Sequence, residues 1–202
     1  MAIEVLLFDL GGVLVELGGI PMMTTWTRLE EPEIWRRWLQ SEAVRAFESG
    51  RSSPGAFAAG VVEEFELEVA PEAFLEAFIA WPKGLFDEVP ALLDALREDY
   101  HVACLSNTNH LHWERFASET RLHEMLHSRF ASHHIGLMKP DPAIYLHTIE
   151  ALGHAPDEIL FFDDNQVNVD SARDCGMNAL LARGPGEVKT HLARLGLGPH
   201  LL

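Results

Sequence analysis

Short apolar runs, each closed by a small polar cluster and separated from the next by a helix-length segment, constrain what this chain can fold into. Ile3 to Phe8 carries only Glu4 as a polar residue and reads as a strand buried on both faces. Val102 to Leu105, Ile159 to Phe162 and Asn178 to Ala182 read the same way, and Arg129 to Ser132 reads as one more short strand. Helical segments lie between them. Val89, Leu92, Leu93 and Leu96 have helical spacing within 89–100, and Asp141-Pro142 opens a helix that stops at Gly153. Val167 to Cys175 forms a helix ending at Gly176, and Val188 to Leu195 forms the last one. Strands alternating with helices predict an α/β fold, a parallel sheet with helices on both faces and right-handed crossovers.

Residues 22–83 differ in character. They carry helical patterning, and Pro32, Pro54 and Pro71 each stand where a first helical turn would begin. Ser53 before Pro54 suits an N-cap, and Gly50-Arg51-Ser52-Ser53 reads as a loop. The expectation is a helical insertion of about four helices. It divides the chain into a Rossmann-like core of residues 1–16 and 84–202 and an α-helical cap of residues 17–83. Gly18-Gly19 reads as a junction with backbone freedom, suited to a hinge.

The length of 202 residues and 48% hydrophobic content suffice for a full core. A formal net charge of -16 argues against nucleic acid or an anionic membrane as partner. It leaves room for a small phosphorylated ligand held by a local cation or a helix N-terminus. Cys104 and Cys175 lie in or beside apolar stretches and read as reduced thiols. The N-terminal run lacks a basic segment, and no stretch reaches the roughly 18 apolar residues of a membrane span. The expectation is a soluble, cytoplasmic protein.

The polar clusters carry the chemistry. They are Phe8-Asp9-Leu10-Gly11-Gly12-Val13, Leu105-Ser106-Asn107-Thr108-Asn109, Met138-Lys139-Pro140 and Phe161-Phe162-Asp163-Asp164-Asn165. Asp9, Ser106 and the Asp163-Asp164 pair follow strands, and Lys139 precedes a helix. In an open parallel sheet these positions converge beyond the carboxyl ends of the strands. Phosphoryl transfer needs an in-line nucleophile, donors for the equatorial oxygens and cationic charge. Asp9 suits the nucleophile, Ser106 and the amides near Asn107 suit the donors, and Lys139 supplies charge. Asp164 together with Asp9 suits Mg²⁺, a hard cation that prefers oxygen ligands.

The ordered set resembles the four motifs of the haloacid dehalogenase-like superfamily, on Asp9, Ser106, Lys139 and Asp164 in turn. The resemblance spans essentially the whole chain, with the helical insertion standing where that superfamily has a small cap. Phe-Asp-Leu-Gly-Gly-Val-Leu, Leu-Ser-Asn-Thr-Asn and Phe-Phe-Asp-Asp-Asn are most similar to a bacterial branch that includes glucose-1-phosphatase-type sugar phosphatases. The resemblance implies Asp9 as nucleophile and the Gly11 carbonyl as a metal ligand. It further implies Asp164 as a metal ligand, Asp163 as a supporting one, and Ser106 and Lys139 on the phosphoryl group. Asn168 stands where many relatives have another Asp.

Gly11 departs from the pattern of most phosphatases of the superfamily, which carry an acid/base Asp two residues after the nucleophile. A substrate whose leaving group needs little protonation, such as a sugar 1-phosphate or acyl phosphate, suits this departure. Water activation still requires a base, for which Glu16 or a cap residue is a candidate. The function expected is a Mg²⁺-dependent phosphatase acting on a small phosphorylated metabolite. A non-catalytic or regulatory protein of the same fold is the alternative that Gly11 supports. A dehalogenase accords less well with the acidic pair, because halide displacement needs no metal.

Other features admit blander readings. His123-Glu124-Met125-Leu126-His127 matches a zinc-protease pattern on a helix face, but in a chain with 11 histidines a polar helix face explains it. His110, His112 and Trp113 suit the site mouth or helix packing. Trp26, Trp35 and Trp38 suit a sugar-stacking platform or, given the helical spacing of Ile34, Trp35, Trp38 and Leu39, cap core. Arg36 and Arg37 suit a second anion site or a solvated face.

Overall fold

The computed structural model describes residues 2–198; residues 1 and 199–202, the outermost of the expected core, lie outside the described residues. Strand β1 (Val5–Phe8) is fully buried and leads to a short strand β2 (Val15–Leu17). The helical insertion follows as α1 (Ile20–Met23), α2 (Glu31–Gln40), α3 (Glu42–Glu48), α4 (Pro54–Glu64) and α5 (Pro71–Ile79). Strand β3 (Pro82–Leu85) returns antiparallel to β2, closing a two-stranded ribbon at the base of the insertion. Then come α6 (Val89–Leu96), β4 (His101–Ser106), α7 (His110–Glu119), α8 (Leu122–Met125), β5 (Ser128–Ala131) and α9 (Ser132–Ile135). The chain ends with α10 (Pro142–Leu152), β6 (Ile159–Asp163), α11 (Gln166–Asp174), β7 (Asn178–Leu181) and α12 (Gly184–Arg194).

The main sheet has the order β5-β4-β1-β6-β7, and every pairing is parallel. Its strands read as apolar runs because both faces are covered. Leu6, Phe8, Val102, Cys104, Leu160 and Phe162 face one apolar layer with α6, α7 and α12. Val5, Leu7, Ala103, Leu105, Ile159 and Phe161 face the other with α10 and α11. This is the expected α/β fold, a Rossmann-like parallel sheet with helices on both faces. The order places β1 at the centre, between β4 and β6, so the chain segments leaving these three strands share one crevice.

The insertion packs its own core. Phe47, Phe57, Phe65, Phe74 and Phe78 are buried there, and Trp38 lies with its ring centroid 6.3 Å or less from those of Phe57, Phe65, Phe78 and Trp81. Ser41 and Ser53 cap α3 and α4 by accepting the amides of Val44 (3.1 Å) and Ala56 (3.3 Å). Gly19 lies so close to the Trp81 indole that a Cβ would overlap the ring, which accounts for that glycine by close approach.

Several local expectations are corrected. The insertion holds five helical segments among the described residues, and strand β3 begins at Pro82, at the end of the stretch expected to be helical throughout. The helix from Val89 stops at Leu96, where the chain turns to feed β4. The last helix starts earlier, at Gly184. The His123–His127 helix does not form: α8 ends at Met125, and His127 leaves the helix to accept the Val102 amide on Nδ1 (3.0 Å).

Candidate active site

Each chemistry-bearing segment ends one element and begins another. Asp9 follows β1, and its amide donates to the Phe162 carbonyl of β6 (2.8 Å). Ser106 closes β4, while Asn109 three residues later caps α7 by accepting the His112 amide (3.2 Å). Asp163 closes β6, while Asn165 caps α11 by accepting the Val167 amide (3.0 Å). Lys139 lies in the turn before α10, where Asp141 caps the helix by accepting the Ala143 amide (3.0 Å).

The structure brings Asp9, Gly11, Ser106, Asn107, Lys139 and Asp164 to one cavity of about 810 Å³ between the sheet edge and the helical insertion. Lys139 is buried and its ammonium donates to Asp163 Oδ2 (2.6 Å) and lies 2.9 Å from Asp9 Oδ1. Asp163 has no exposed surface, and its remaining acceptor sites take the Asn165 amide (2.9 Å) and the Asn168 side-chain amide (3.0 and 3.1 Å). With both oxygens engaged, Asp163 orients Lys139 rather than offering a free ligand atom, and Asn168 fixes Asp163 in turn. The Asn107 side chain is likewise committed. Its Nδ2 donates to the Lys139 carbonyl (2.9 Å) and its Oδ1 accepts the Lys139 amide (2.8 Å), so it braces the lysine segment.

Asp9, Asp163 and Asp164 each place a carboxylate oxygen within 4.8 Å of the others. Burial, chiefly, and the adjacent carboxylates push Asp9 up to about 7, with Lys139 opposing. Burial and then the Asp163 charge push Asp164 up to about 6. One ammonium against three carboxylates leaves an excess of negative charge that a cation offsets. Gly12 permits this crowding. Its φ of +72° and the Asp164 carboxylate pressed against it leave no room for a side chain. Gly11 is different: its φ is not left-handed, and a Cβ there would meet only the end of the Leu17 side chain, at 3.0 Å.

Other candidates settle around this geometry. His112 lines the cavity with both ring nitrogens engaged, Nε2 with the Phe78 carbonyl (2.8 Å) and Nδ1 with the Asn109 side chain (3.2 Å). Trp113 is buried in the core. His110 packs edge-on against Phe47. Trp26 and Trp38 pack, partly buried, against the insertion core; Trp38 also lines the cavity, as does Trp35, which is 42% exposed. Arg36 and Arg37 pair with Glu33 on the surface. Glu16 lies on β2, exposed and 3.6 Å from Lys83 Nζ, outside the cavity lining. Glu48, at the end of α3, lines the cavity and carries no sequence signal, because only the packing of the insertion brings it there.

The family model of haloacid dehalogenase-like hydrolases matches residues 3–176. The chain belongs to the haloacid dehalogenase-like hydrolases. Within that family it is 30% identical to a phosphatase of Mycobacterium tuberculosis, over 96% of this chain and 94% of the relative. It is 28% identical to a D-ribitol-5-phosphate phosphatase of Bacteroides thetaiotaomicron, over 86% of this chain and 89% of the relative. A crystal structure of a haloacid dehalogenase family enzyme from Bacteroides thetaiotaomicron, in complex with magnesium and inorganic phosphate, superposes with a TM-score of 0.76. It has 26% identity, covering 95% of this chain and 99% of the other. Among the described residues of this family member no helix is long and apolar enough to cross a membrane.

Proposed function

We propose that the chain is a Mg²⁺-dependent phosphatase that hydrolyses a small phosphorylated metabolite through an aspartyl-phosphate on Asp9. The observation that carries this is the Asp9 carboxylate, held 2.9 Å from the Lys139 ammonium in a cavity shared with Ser106 and Asp164. The helical insertion of residues 17–83 is the cap over a core of residues 1–16 and 84–202. The relatives that act on phosphate esters and the magnesium complex of the structural neighbour support the same reading.

The donor set fits the metal. It is all oxygen and carboxylate-rich, and burial first, with the neighbouring carboxylates adding to it, raises the proton affinity of Asp9 and Asp164. Asp9, Asp164 and the Gly11 carbonyl would hold the ion, with Asp163 in support through Lys139. Bound there, Mg²⁺ supplies charge that offsets the phosphoryl dianion. The protein's own groups do the rest. Lys139 and the Ser106 hydroxyl hold phosphoryl oxygens, together with amides near Asn107. Asp9 attacks phosphorus, the ester oxygen leaves, and water then cleaves the acyl phosphate to release phosphate and restore Asp9.

The cavity volume suits a metabolite rather than a phosphoprotein segment. Gly11 has no side chain to protonate a leaving group, so that proton comes from another group or is least needed, as with a sugar 1-phosphate, the substrate proposed. The dehalogenase reading leaves the carboxylate excess without a purpose, and a purely binding role leaves the Asp9–Lys139 pair without one. Hydrolysis of para-nitrophenyl phosphate with and without Mg²⁺ tests the proposal. Turnover requires the metal and is abolished in Asp9→Asn; undiminished turnover in that variant overturns Asp9 as nucleophile. A clear preference for 6-phosphates over 1-phosphates overturns the finer substrate reading alone.

A further inference from the structure

The acid/base group absent at Gly11 has a counterpart on the cap. We propose that Glu48 is the general acid and base of this site, protonating the leaving oxygen and then taking a proton from the attacking water. The inference rests on the phosphatase reading above and names the group that completes it.

Position is the first argument. Glu48 lines the cavity with Asp9, Ser106, Lys139 and Asp164, near enough for the charges of Asp9 and Lys139 to act on it. Its backbone is fixed to the core. The Glu48 carbonyl accepts the hydroxyl of Ser132 (2.5 Å), a fully buried side chain that also accepts the Thr108 amide (2.9 Å) and approaches the Thr108 carbonyl (3.0 Å). Thr108 belongs to the segment that carries Ser106. Two residues beyond Glu48, Gly50 has φ +72° and packs on the His133 carbonyl, where a Cβ would not fit. One hydroxyl thus sets the distance between the candidate acid and the phosphate-binding segment.

Elimination is the second argument. The carboxyl groups lining the cavity are Asp9, Asp164 and Glu48. Asp9 is the nucleophile and Asp164 belongs to the metal set. His112 is committed at both ring nitrogens. Among the described residues the Glu48 carboxyl has no hydrogen bond or ion pair. Burial first, and then the Asp9 charge, push it up to about 7, so it holds a proton for part of the time at neutral pH.

The steps balance. In the first, an Asp9 oxygen bonds to phosphorus, the phosphorus–ester oxygen bond breaks, and the leaving oxygen takes the Glu48 proton to depart as an alcohol. In the second, water bonds to phosphorus as Glu48 takes its proton, the phosphorus–Asp9 bond breaks, and phosphate leaves with Asp9 free and Glu48 protonated again. The second step needs a base whatever the leaving group.

Rapid mixing of Glu48→Gln with two substrates in Mg²⁺ tests this. With para-nitrophenyl phosphate, whose leaving group needs no proton, the variant releases a burst of about one nitrophenolate per site, followed by turnover slowed roughly 100-fold or more. Mass spectrometry then finds phosphate retained on the peptide containing Asp9. With glycerol phosphate, an alkyl ester, the burst disappears. Glu48→Ala gives the same pattern, and melting curves with inorganic phosphate show that both variants fold and bind the anion. Turnover within a few-fold of wild type overturns the assignment, as does loss of burst and turnover together in a folded variant. A wild-type chain that turns over no phosphate ester removes the phosphatase reading and this inference with it.

Discussion

Lys139 Nζ lies 2.6 Å from Asp163 Oδ2, so a carboxylate with no exposed surface aims the ammonium at Asp9, 2.9 Å away. Asp163→Asn removes the stronger of these contacts and lets the lysine wander from the phosphoryl position. Turnover of para-nitrophenyl phosphate is expected to fall by about 10–100-fold. Lys139→Met strips the ammonium that pairs with Asp9 and Asp163 and is expected to destabilise the fold by about 3–5 kcal/mol in urea unfolding.

The carboxylate cluster makes stability depend on metal. Asp9 and Asp164 have folded-state proton affinities raised above their ordinary values, to about 7 and about 6. Their contribution is therefore greatest at low pH and is lost as pH rises through that range. Added Mg²⁺ at about 100 times its Kd is expected to raise unfolding free energy at pH 8 by about 2.7 kcal/mol. Asp164→Asn is expected to lose most of that increment in thermal melts.

His112 acts with the opposite sign. Burial pushes its imidazole down to about 4, so the fold favours the neutral ring. Its contribution is full above the ordinary histidine range and is lost as pH falls from about 6.5 towards 4. Unfolding of wild type and His112→Gln compared across this window isolates the histidine from the carboxylates. The advantage of the wild type at pH 7 is expected to shrink by on the order of 2 kcal/mol by pH 4.5.

Gly11 and Gly12 are expected to tolerate substitution very differently. Gly12→Ala forces a side chain into a left-handed backbone and against Asp164. It is expected to lose at least about 1 kcal/mol of stability and most of the activity. Gly11→Asp needs only a shift of the half-exposed Leu17 side chain. It is expected to fold with a melting curve close to wild type and to relieve the stalled second step of Glu48→Gln.

Trp35 and Trp38 both line the cavity but differ in how much of the insertion's stability they carry. Trp38→Ala empties the centre of the aromatic cluster and is expected to destabilise the protein by about 3 kcal/mol. Trp35→Ala, at the partly exposed cavity wall, is expected to raise KM for the preferred substrate while leaving stability within about 0.5 kcal/mol.

The sheet was legible because burial on both faces turns strands such as Ile159–Asp163 into apolar runs, and because Asp9, Ser106 and Asp163 mark their ends. The β2–β3 ribbon was not, since Pro82-Lys83-Gly84 is a strand only by pairing with Glu16 and its neighbours. His123 and His127 share a helical spacing but not a helix, because backbone pairing of Val102 with His127 wins over the last helical turn. Trp35 is exposed and Trp38 partly buried although both stand in the same helix, a difference that only the packing of α2 on its neighbours decides. Glu48 had no motif at all: its place in the cavity is a product of tertiary docking.

The buried Ser132 hydroxyl joins Glu48 of the helical insertion to Thr108, beyond strand β4. Lifting the cap at this seam would forfeit that bond, worth about 1 kcal/mol, and unpack Gly50 from His133. With the seam closed, a ligand of Asp9 has to fit beside Leu17, Trp35 and Leu39, three of the exposed large apolar side chains that line the cavity. The upper limit on substrate bulk becomes a dimension built into the folded chain, and trimming those three side chains is the direct route to a larger guest.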